Sequence, residues 1–146
     1  MQLEILNKEL LSQVEKTFNI SFEDISTGFK KIFEDTSFEY LNIVFVTPEY
    51  IQDLNKQYRD IDAPTDVLSF KITEDGSKAE IYICPKYVYL SFQGEEFEEE
   101  ILRLIIHGTL HILGYDHRES LNDSPSEEMF VIQEDLLLKY KKICSS

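Results

Sequence analysis

The three histidines of the chain all lie within eleven residues, at positions 107, 111 and 117. His107 and His111 are four residues apart, so on a helix their imidazoles lie on one face. Gly114 ends such a helix, and the turn allows His117 to approach the same point from another direction. Three neutral imidazoles form a divalent cation site, usually for zinc, with nickel and iron as alternatives. We therefore expect one zinc ion, Zn²⁺, bound by His107, His111 and His117.

A site with three protein ligands keeps one coordination position for water or substrate, which is typical of catalytic zinc. No cysteine and no fourth histidine lies near the three histidines in the sequence. Asp116 is in principle a candidate for the fourth position, although it is better suited to accept the N–H of one imidazole. The alternative, three histidines that only form ordinary hydrogen bonds, does not account for their grouping. The sequence thus predicts a catalytic metal centre.

The same His-x-x-x-His-x-x-Gly-x-x-His spacing occurs in the metzincin proteases. In those enzymes the residue after the first histidine is a glutamate, which serves as the general base. Here that position is Gly108, which cannot accept a proton. Peptide hydrolysis by that mechanism therefore lacks its base, which argues against a protease.

Arg59 is the second candidate for chemistry. Its guanidinium offers a planar fork of N–H donors that suits phosphate, and it stays charged at any working pH. The alternative is a surface ion pair with Asp60 or Asp62. The stretch from Arg103 to Arg118 carries a formal charge of +1, which a zinc ion would raise to +3. A phosphate can bind at such a site although the whole chain is acidic.

Length and composition limit the class of protein. The 146 residues are 42% hydrophobic and 29% charged, so we expect one globular domain over residues 1–146. The net charge of −14 argues against general nucleic-acid binding and predicts weak association with RNA. No membrane span and no secretory signal are visible, so we expect a cytoplasmic protein. Cys84 and Cys144 are expected to be reduced.

The elements that must position these side chains follow from the hydrophobic pattern. Strands are expected at 2–6, 41–46, 67–72 and 79–84, and helices at 9–18, 22–34, 48–58, 85–92, about 95–114 and 125–143. The 41–46 run is almost wholly apolar, as in a strand buried on both faces. Asp75-Gly76 predicts an antiparallel hairpin between the last two strands. Together these elements predict an α+β fold, a mixed sheet of about four strands flanked by helices, with one zinc-binding helix.

Two of the helices show a clear apolar face. On the helix at 48–58 the residues that share one face are Ile51, Leu54, Asn55 and Tyr58. On the last helix the apolar stripe consists of Met129, Ile132, Leu136, Tyr140 and Ile143. We expect both faces to pack against the core.

At these positions the sequence resembles the YbeY family of bacterial rRNA maturation factors. The resemblance rests on the His-Gly-x-Leu-His-x-x-Gly-Tyr-Asp-His block at 107–117, on the Leu-Asn and Tyr-Arg pairs of 54–59, and on Pro-Thr-Asp-Val-Leu-Ser-Phe at 64–70. The strand at 80–83 and the Glu-Met pair at 128–129 also fit, so the resemblance runs from about residue 41 to 140. It implies a metal-dependent endoribonuclease that cleaves single-stranded RNA.

The resemblance also implies residue roles and partners. His107, His111 and His117 would bind zinc, and Arg59 would be essential for activity. The substrate would be single-stranded rRNA, in 16S rRNA 3′-end maturation and ribosome quality control, with the small ribosomal subunit and its assembly proteins as partners. The sequence does not determine the oligomeric state, and of the alternatives we favour a monomer. Separately from the resemblance, the missing side chain of Gly108 leads us to expect room beside the metal for a ribose–phosphate backbone. Two alternatives stay open: a zinc hydrolase acting on peptides or small molecules, and a non-catalytic ribosome-assembly factor.

Overall fold

The fold is built on a four-stranded sheet of mixed direction. The structure, a computed structural model, describes residues 1–16, 18–115 and 125–145. The strands are β1 (Gln2–Leu6), β2 (Tyr40–Phe45), β3 (Val67–Lys71) and β4 (Lys78–Ile83), in the spatial order β1-β2-β4-β3. Strands β1 and β4 run parallel to β2, and β3 is antiparallel to β4. The predicted mixed sheet of about four strands is confirmed.

Helices pack on both faces of this sheet. Within the described ranges they are α1 (Glu9–Val14), α2 (Phe22–Ile32), α3 (Pro48–Arg59), α4 (Pro85–Tyr89), α5 (Gly94–Ile112) and α6 (Pro125–Ser145). Helix α3 covers one face, which we call the outer face, and α2, α5 and α6 contribute to the core on the other, inner face. None of these helices combines the length and the apolar character that a membrane span requires.

Strand β2 is the central strand that its apolar sequence predicts. It lies between β1 and β4, and all its residues after Tyr40 are buried. Because successive side chains of a strand point to opposite faces, Ile43 packs into the inner core and Val44 into the outer one. Cys84 is buried in the outer core, and both it and Cys144 are free thiols, as expected.

The hairpin between β3 and β4 is confirmed, and the carboxylate of Asp75 holds its turn. This carboxylate accepts hydrogen bonds from the Ser77 N–H at 3.0 Å, the Ser77 hydroxyl at 2.8 Å and the Thr73 hydroxyl at 2.7 Å. These bonds, of which the Ser77 N–H bond has the largest effect, lower the pKa of Asp75 to about 2. Gly76 follows with a φ of 75°, a conformation that few other residues adopt.

Helix α3 begins where predicted and ends one residue later. The Thr47 hydroxyl accepts from the N–H of Tyr50 at 3.2 Å, with Pro48 in the first turn. The helix stops after Arg59 because Asp60 adopts a left-handed conformation with a φ of 58°. Arg59 therefore lies at the tip of α3.

Helices α1 and α4 are shorter than predicted. Helix α1 ends at Val14 because the backbone of Glu15 is extended. The carboxylate of Glu15 accepts a hydrogen bond from the N–H of Gly94 at 2.9 Å. A side chain from the end of one helix thus caps the start of α5, a contact that a local pattern cannot reveal. Helix α4 ends at Tyr89 rather than at residue 92.

The buried face of α6 differs from the predicted stripe. Its most buried side chains are Met129, Gln133, Leu137 and Tyr140, whereas Ile132, Leu136 and Ile143 are only partly buried. The hydrophobic pattern omitted position 133 because glutamine is polar, and this moved the predicted stripe by one residue around the helix.

Candidate active site

Helix α5 carries the first part of the site. Most of its side chains are buried, and His107 and His111 are half-buried one turn apart. Their ring centroids are 4.5 Å apart at an interplanar angle of 74°, and their Nε2 atoms are 2.9 Å apart. Both nitrogens can therefore lie about 2.0–2.1 Å from one point, which is the zinc–imidazole distance. The structure brings these two predicted ligands together in a geometry that fits a shared cation.

His117, the third predicted ligand, lies outside the described residues, as do Asp116 and Arg118. Within the described ranges, no group of three histidine, cysteine, aspartate or glutamate side chains is arranged to hold a metal ion. The complete ligand set therefore stays a prediction from the sequence.

Gln133 of α6 orients His107. Its side-chain amide lies with Oε1 2.9 Å from His107 Nδ1 and donates from Nε2 to the Glu134 carboxylate at 3.3 Å. Because a carboxylate only accepts, the amide oxygen must face His107, and His107 donates from Nδ1. Its Nε2 then carries the lone pair that a metal needs. The sequence analysis missed Gln133, although a polar residue one turn after Met129 on an apolar helix was the available signal.

Gly108 serves helix packing, and the expectation that it leaves room beside the metal is wrong. It is buried, and a Cβ at this position would lie 2.7 Å from Ser69 Oγ and 2.9 Å from Ile81 Cγ2. Both neighbours belong to the inner face of the β3–β4 hairpin, where they are paired. The missing side chain therefore lets α5 approach the sheet closely, with His107 and His111 on either side of the contact.

Arg59 lines the same cleft as the two histidines. This cleft has a volume of about 530 Å³ and runs along the edge strand β3, between the tip of α3 and the last turns of α5. Arg59 is exposed and forms no ion pair with the part of the chain that the structure describes. Asp62 instead lies 3.9 Å from the Lys56 ammonium and accepts from Gln52 at 3.0 Å. The guanidinium is therefore available to a phosphate.

The loop after Arg59 is tied back to α3 by Asn55. The Nδ2 of its buried side chain donates to the backbone carbonyl of Ala63 at 2.9 Å, and the backbone carbonyl of Asn55 accepts from the N–H of Ile61 at 3.2 Å. Asn55 thus lies on the buried face, as predicted. Tyr58 does not, because 64% of it is exposed and it lines the cleft.

Arg103 is not a source of positive charge for the cleft. Its guanidinium contacts Glu99 at 2.6 Å, Glu134 at 3.0 Å and Glu100 at 3.6 Å. These carboxylates, Glu134 first, raise the pKa of Arg103, while burial raises the pKa of Glu100. The contribution of Arg103 to the formal charge of +1 on the 103–118 stretch is therefore neutralised by neighbouring carboxylates, and the other charged residues of that stretch lie outside the described residues.

Lys71 of β3, which the sequence analysis did not single out, is the second cation along the cleft. The carboxylate there is Asp66, which accepts from the Val67 N–H at 2.8 Å and from the Thr65 hydroxyl at 3.3 Å. Among the described residues that line the cleft, Arg59 and Lys71 outnumber this carboxylate, so the described lining has a net positive charge before any metal is counted. A metal-binding pair with free cations beside it suits hydrolysis of a phosphate ester.

Comparison with known proteins identifies relatives of this chain. Residues 3–141 match the family described as Endoribonuclease YbeY, which extends the resemblance to nearly the whole chain. The chain is 38% identical to Endoribonuclease YbeY of Treponema denticola over 147 aligned positions, covering 93% of this chain and 83% of that protein. It is 30% identical to the namesake from Shouchella clausii, covering 94% and 89%. The solution structure of TM1509 from Thermotoga maritima aligns with a TM-score of 0.58 and 32% identity, covering 95% of this chain and 89% of that one.

Proposed function

Because this chain belongs to the Endoribonuclease YbeY family, we propose that it is a zinc-dependent endoribonuclease that cleaves single-stranded rRNA. The observation that carries the proposal is the cleft that joins Arg59 of α3 to His107 and His111 of α5. The proposal includes 16S rRNA 3′-end maturation and ribosome quality control in the cytoplasm, with the small ribosomal subunit and its assembly proteins as partners.

The histidines are the residues that would hold the metal. His107 and His111, with His117 as the predicted third ligand, form a nitrogen donor set that zinc prefers. A bound zinc ion supplies Lewis acidity, which lowers the pKa of coordinated water and polarises a phosphate oxygen. Gln133 keeps His107 in the tautomer whose Nε2 faces the site.

Arg59 binds and stabilises the phosphate in this proposal. Its guanidinium can donate two parallel hydrogen bonds to one phosphate. Its positive charge stabilises the negative charge that builds up on the phosphate oxygens during nucleophilic attack. The end of α3 and the Asn55 anchor fix the backbone that carries it. Arg59 is thus held by the fold and not by an ion pair with any described residue.

An acidic protein needs help to hold RNA. The chain carries a net charge of −14, so its surface repels a polyanion beyond the cleft. This supports presentation of the rRNA by the small ribosomal subunit or one of its assembly proteins, with the cleft receiving only a short unpaired segment.

The test combines metal analysis with RNA cleavage. We expect one zinc ion per chain in the wild type and in Arg59→Ala, and loss of zinc in His111→Ala. Arg59→Ala should lower kcat for a single-stranded RNA by about 10²- to 10³-fold. Lys56→Ala is the matched control, because Lys56 lies on the same helix but outside the cleft, and its activity should equal that of the wild type.

Two results would overturn the proposal. Turnover of peptides or small esters that survives Arg59→Ala, without RNA cleavage, would identify a zinc hydrolase of another class. Binding of ribosomal partners without any cleavage, with His117→Ala lowering only the melting temperature, would identify an assembly factor in which zinc is structural.

A further inference from the structure

A row of four aromatic rings crosses the outer face of the sheet and ends at the cleft. The ring centroids of Tyr50 and Tyr82 are 6.2 Å apart, those of Tyr82 and Phe70 are 5.7 Å apart, and those of Phe70 and Tyr58 are 5.0 Å apart. Tyr50 and Tyr58 come from α3, and Phe70 and Tyr82 from the β3–β4 hairpin. The Tyr58–Phe70 end lines the cleft with the two histidines, whereas the Tyr50–Tyr82 end does not.

Packing alone does not account for Tyr58. The buried positions of α3 are Ile51 and Asn55, and 64% of Tyr58 remains exposed although its ring contacts Phe70. A large apolar ring that is mostly exposed inside a polar cleft adds little to folding and offers an aromatic surface to a ligand.

A cation follows each of these two rings in the sequence. Arg59 follows Tyr58, Lys71 follows Phe70, and all four residues line the cleft. A nucleotide has the matching composition, a flat base and a phosphate, and proteins bind unpaired nucleotides by stacking the bases on aromatic rings beside cations. The positive charges of Arg59 and Lys71 favour a nucleic acid over an apolar protein segment as the ligand of the cleft.

We infer that Tyr58, supported by Phe70, is a base-stacking platform for a nucleotide next to the scissile phosphate, with Arg59 and Lys71 on the flanking phosphates. This inference rests on the proposed function and adds a binding subsite to it. Stacking needs an unpaired base, so the platform disfavours duplex RNA. It reads no hydrogen-bonding edge, so it accepts all four bases and favours the larger purines.

The test is a double-mutant cycle between the platform and the RNA. Tyr58→Ala should lower kcat/KM for a single-stranded RNA by about 5- to 150-fold, and Tyr58→Phe should retain most of it. Tyr58→Leu keeps an apolar cover over Phe70 but has no aromatic face, and it should resemble Tyr58→Ala. Tyr50→Ala, at an exposed stacked tyrosine of the same helix outside the cleft, should leave kcat/KM unchanged.

An abasic scan locates the stacked base. At one position, removal of the base from the RNA should lower kcat/KM of the wild type by the same factor as Tyr58→Ala does with the intact RNA. The same abasic RNA should not lower kcat/KM of Tyr58→Ala any further. If Tyr58→Ala has the same effect on the intact RNA and on every abasic RNA, the ring does not stack a base and the inference is wrong. Equal losses in Tyr58→Phe and Tyr58→Ala would also refute it, because they would assign the effect to the hydroxyl.

A binding measurement separates this inference from the proposed function. A 2-aminopurine base in a cleavage-resistant 2′-O-methyl phosphorothioate strand loses fluorescence when it stacks. We expect quenching by the wild type and Tyr58→Phe but not by Tyr58→Leu. Cleavage without quenching would refute the platform and leave the nuclease standing, whereas quenching without cleavage of any RNA would support the platform and refute the nuclease.

Discussion

The tautomer of His107 is decided at the level of single atoms. Glu134 can only accept a hydrogen bond, so it fixes the amide of Gln133, which in turn requires a proton on His107 Nδ1. The chain of hydrogen bonds from Glu134 through Gln133 to His107 thus leaves His107 Nε2 unprotonated, with its lone pair on the side of His111. Gln133 is 8% exposed, so water does not readily replace its carbonyl.

Replacing Gln133 should therefore weaken zinc binding without removing a ligand. Gln133→Leu keeps the approximate volume but has no acceptor for His107 Nδ1, and the zinc Kd should rise by about 10- to 100-fold. Gln133→Glu retains an acceptor and is the matched control, with a Kd close to that of the wild type. Competition against a chromophoric chelator measures both. An unchanged Kd in Gln133→Leu would show that His107 needs no such partner.

At this scale the sequence predicted the residues whose type alone implies chemistry. Histidine spacing identified His107 and His111, and the chemistry of the guanidinium drew attention to Arg59. Gln133 and Lys71 were missed because glutamine and lysine are common on surfaces, and only the packing of α6 and β3 against α5 brings them to the site. Their roles depend on tertiary contacts that spacing does not encode.

The position of α5 depends on one close contact with the hairpin. A side chain at position 108 would overlap Ser69 and Ile81, so the helix can lie at its present depth only with glycine there. His107 and His111 flank this contact, and a displaced helix would carry both away from Arg59. Packing of the element thus sets the geometry of the site.

Gly108→Ala should therefore damage both stability and metal binding. Although alanine favours a helix more than glycine, overpacking should lower the free energy of unfolding by about 1–3 kcal/mol, measured by urea denaturation. The zinc affinity should fall in the same variant. Adding Ser69→Ala removes the nearest atom and should restore part of the stability. If Gly108→Ala unfolds at the same urea concentration as the wild type, close packing is not the reason for the glycine.

The β3–β4 hairpin carries a pH-dependent contribution to stability. The pKa of Asp75 is about 2 in the folded protein, against 3.8 for an ordinary aspartate, because the ionised form accepts the turn hydrogen bonds. A lowered pKa means that this stabilisation is present above pH 3.8 and is lost as the pH falls through 2. Asp75→Asn should remove it.

We therefore expect the melting temperature of Asp75→Asn to lie below that of the wild type at pH 5–6, and the gap to narrow as the pH falls below about 4. Glu74→Gln, which removes a charge at the same turn, controls for the change in net charge. A gap that is constant across this range would show that the turn does not depend on the ionised carboxylate. Scanning calorimetry at matched ionic strength provides the measurement.

The elements were predictable where their signals are local. The apolar run of β2, the Asp75-Gly76 turn and the Thr47-Pro48 helix start all act within a few residues, and each was confirmed. The early end of α1 was not predictable, because Glu15 leaves that helix to cap α5. The face of α6 was misplaced because a buried glutamine interrupts its apolar pattern.

Over the whole molecule, charge is distributed unevenly. The chain has 28 acidic and 14 basic residues, yet the charged side chains that line the cleft within the described ranges are Arg59 and Lys71 against one carboxylate, Asp66. The field of the whole protein therefore opposes RNA, and the field within the cleft favours it. Such a protein should contact few phosphates and bind RNA weakly.

The salt dependence of RNA binding measures how many phosphates are contacted. Single strands give a slope of log Kobs against log salt of about −0.7 per neutralised phosphate, so two cleft cations predict a slope between about −1 and −2. Lys71→Ala should reduce the magnitude of this slope by about 0.7, and Lys30→Ala, an exposed lysine on α2, should leave it unchanged. Fluorescence anisotropy of a cleavage-resistant single strand between 50 and 300 mM KCl provides the data. A slope steeper than about −4 would require an extended basic surface beyond the cleft, and the acidic surface could then not be the reason for weak binding.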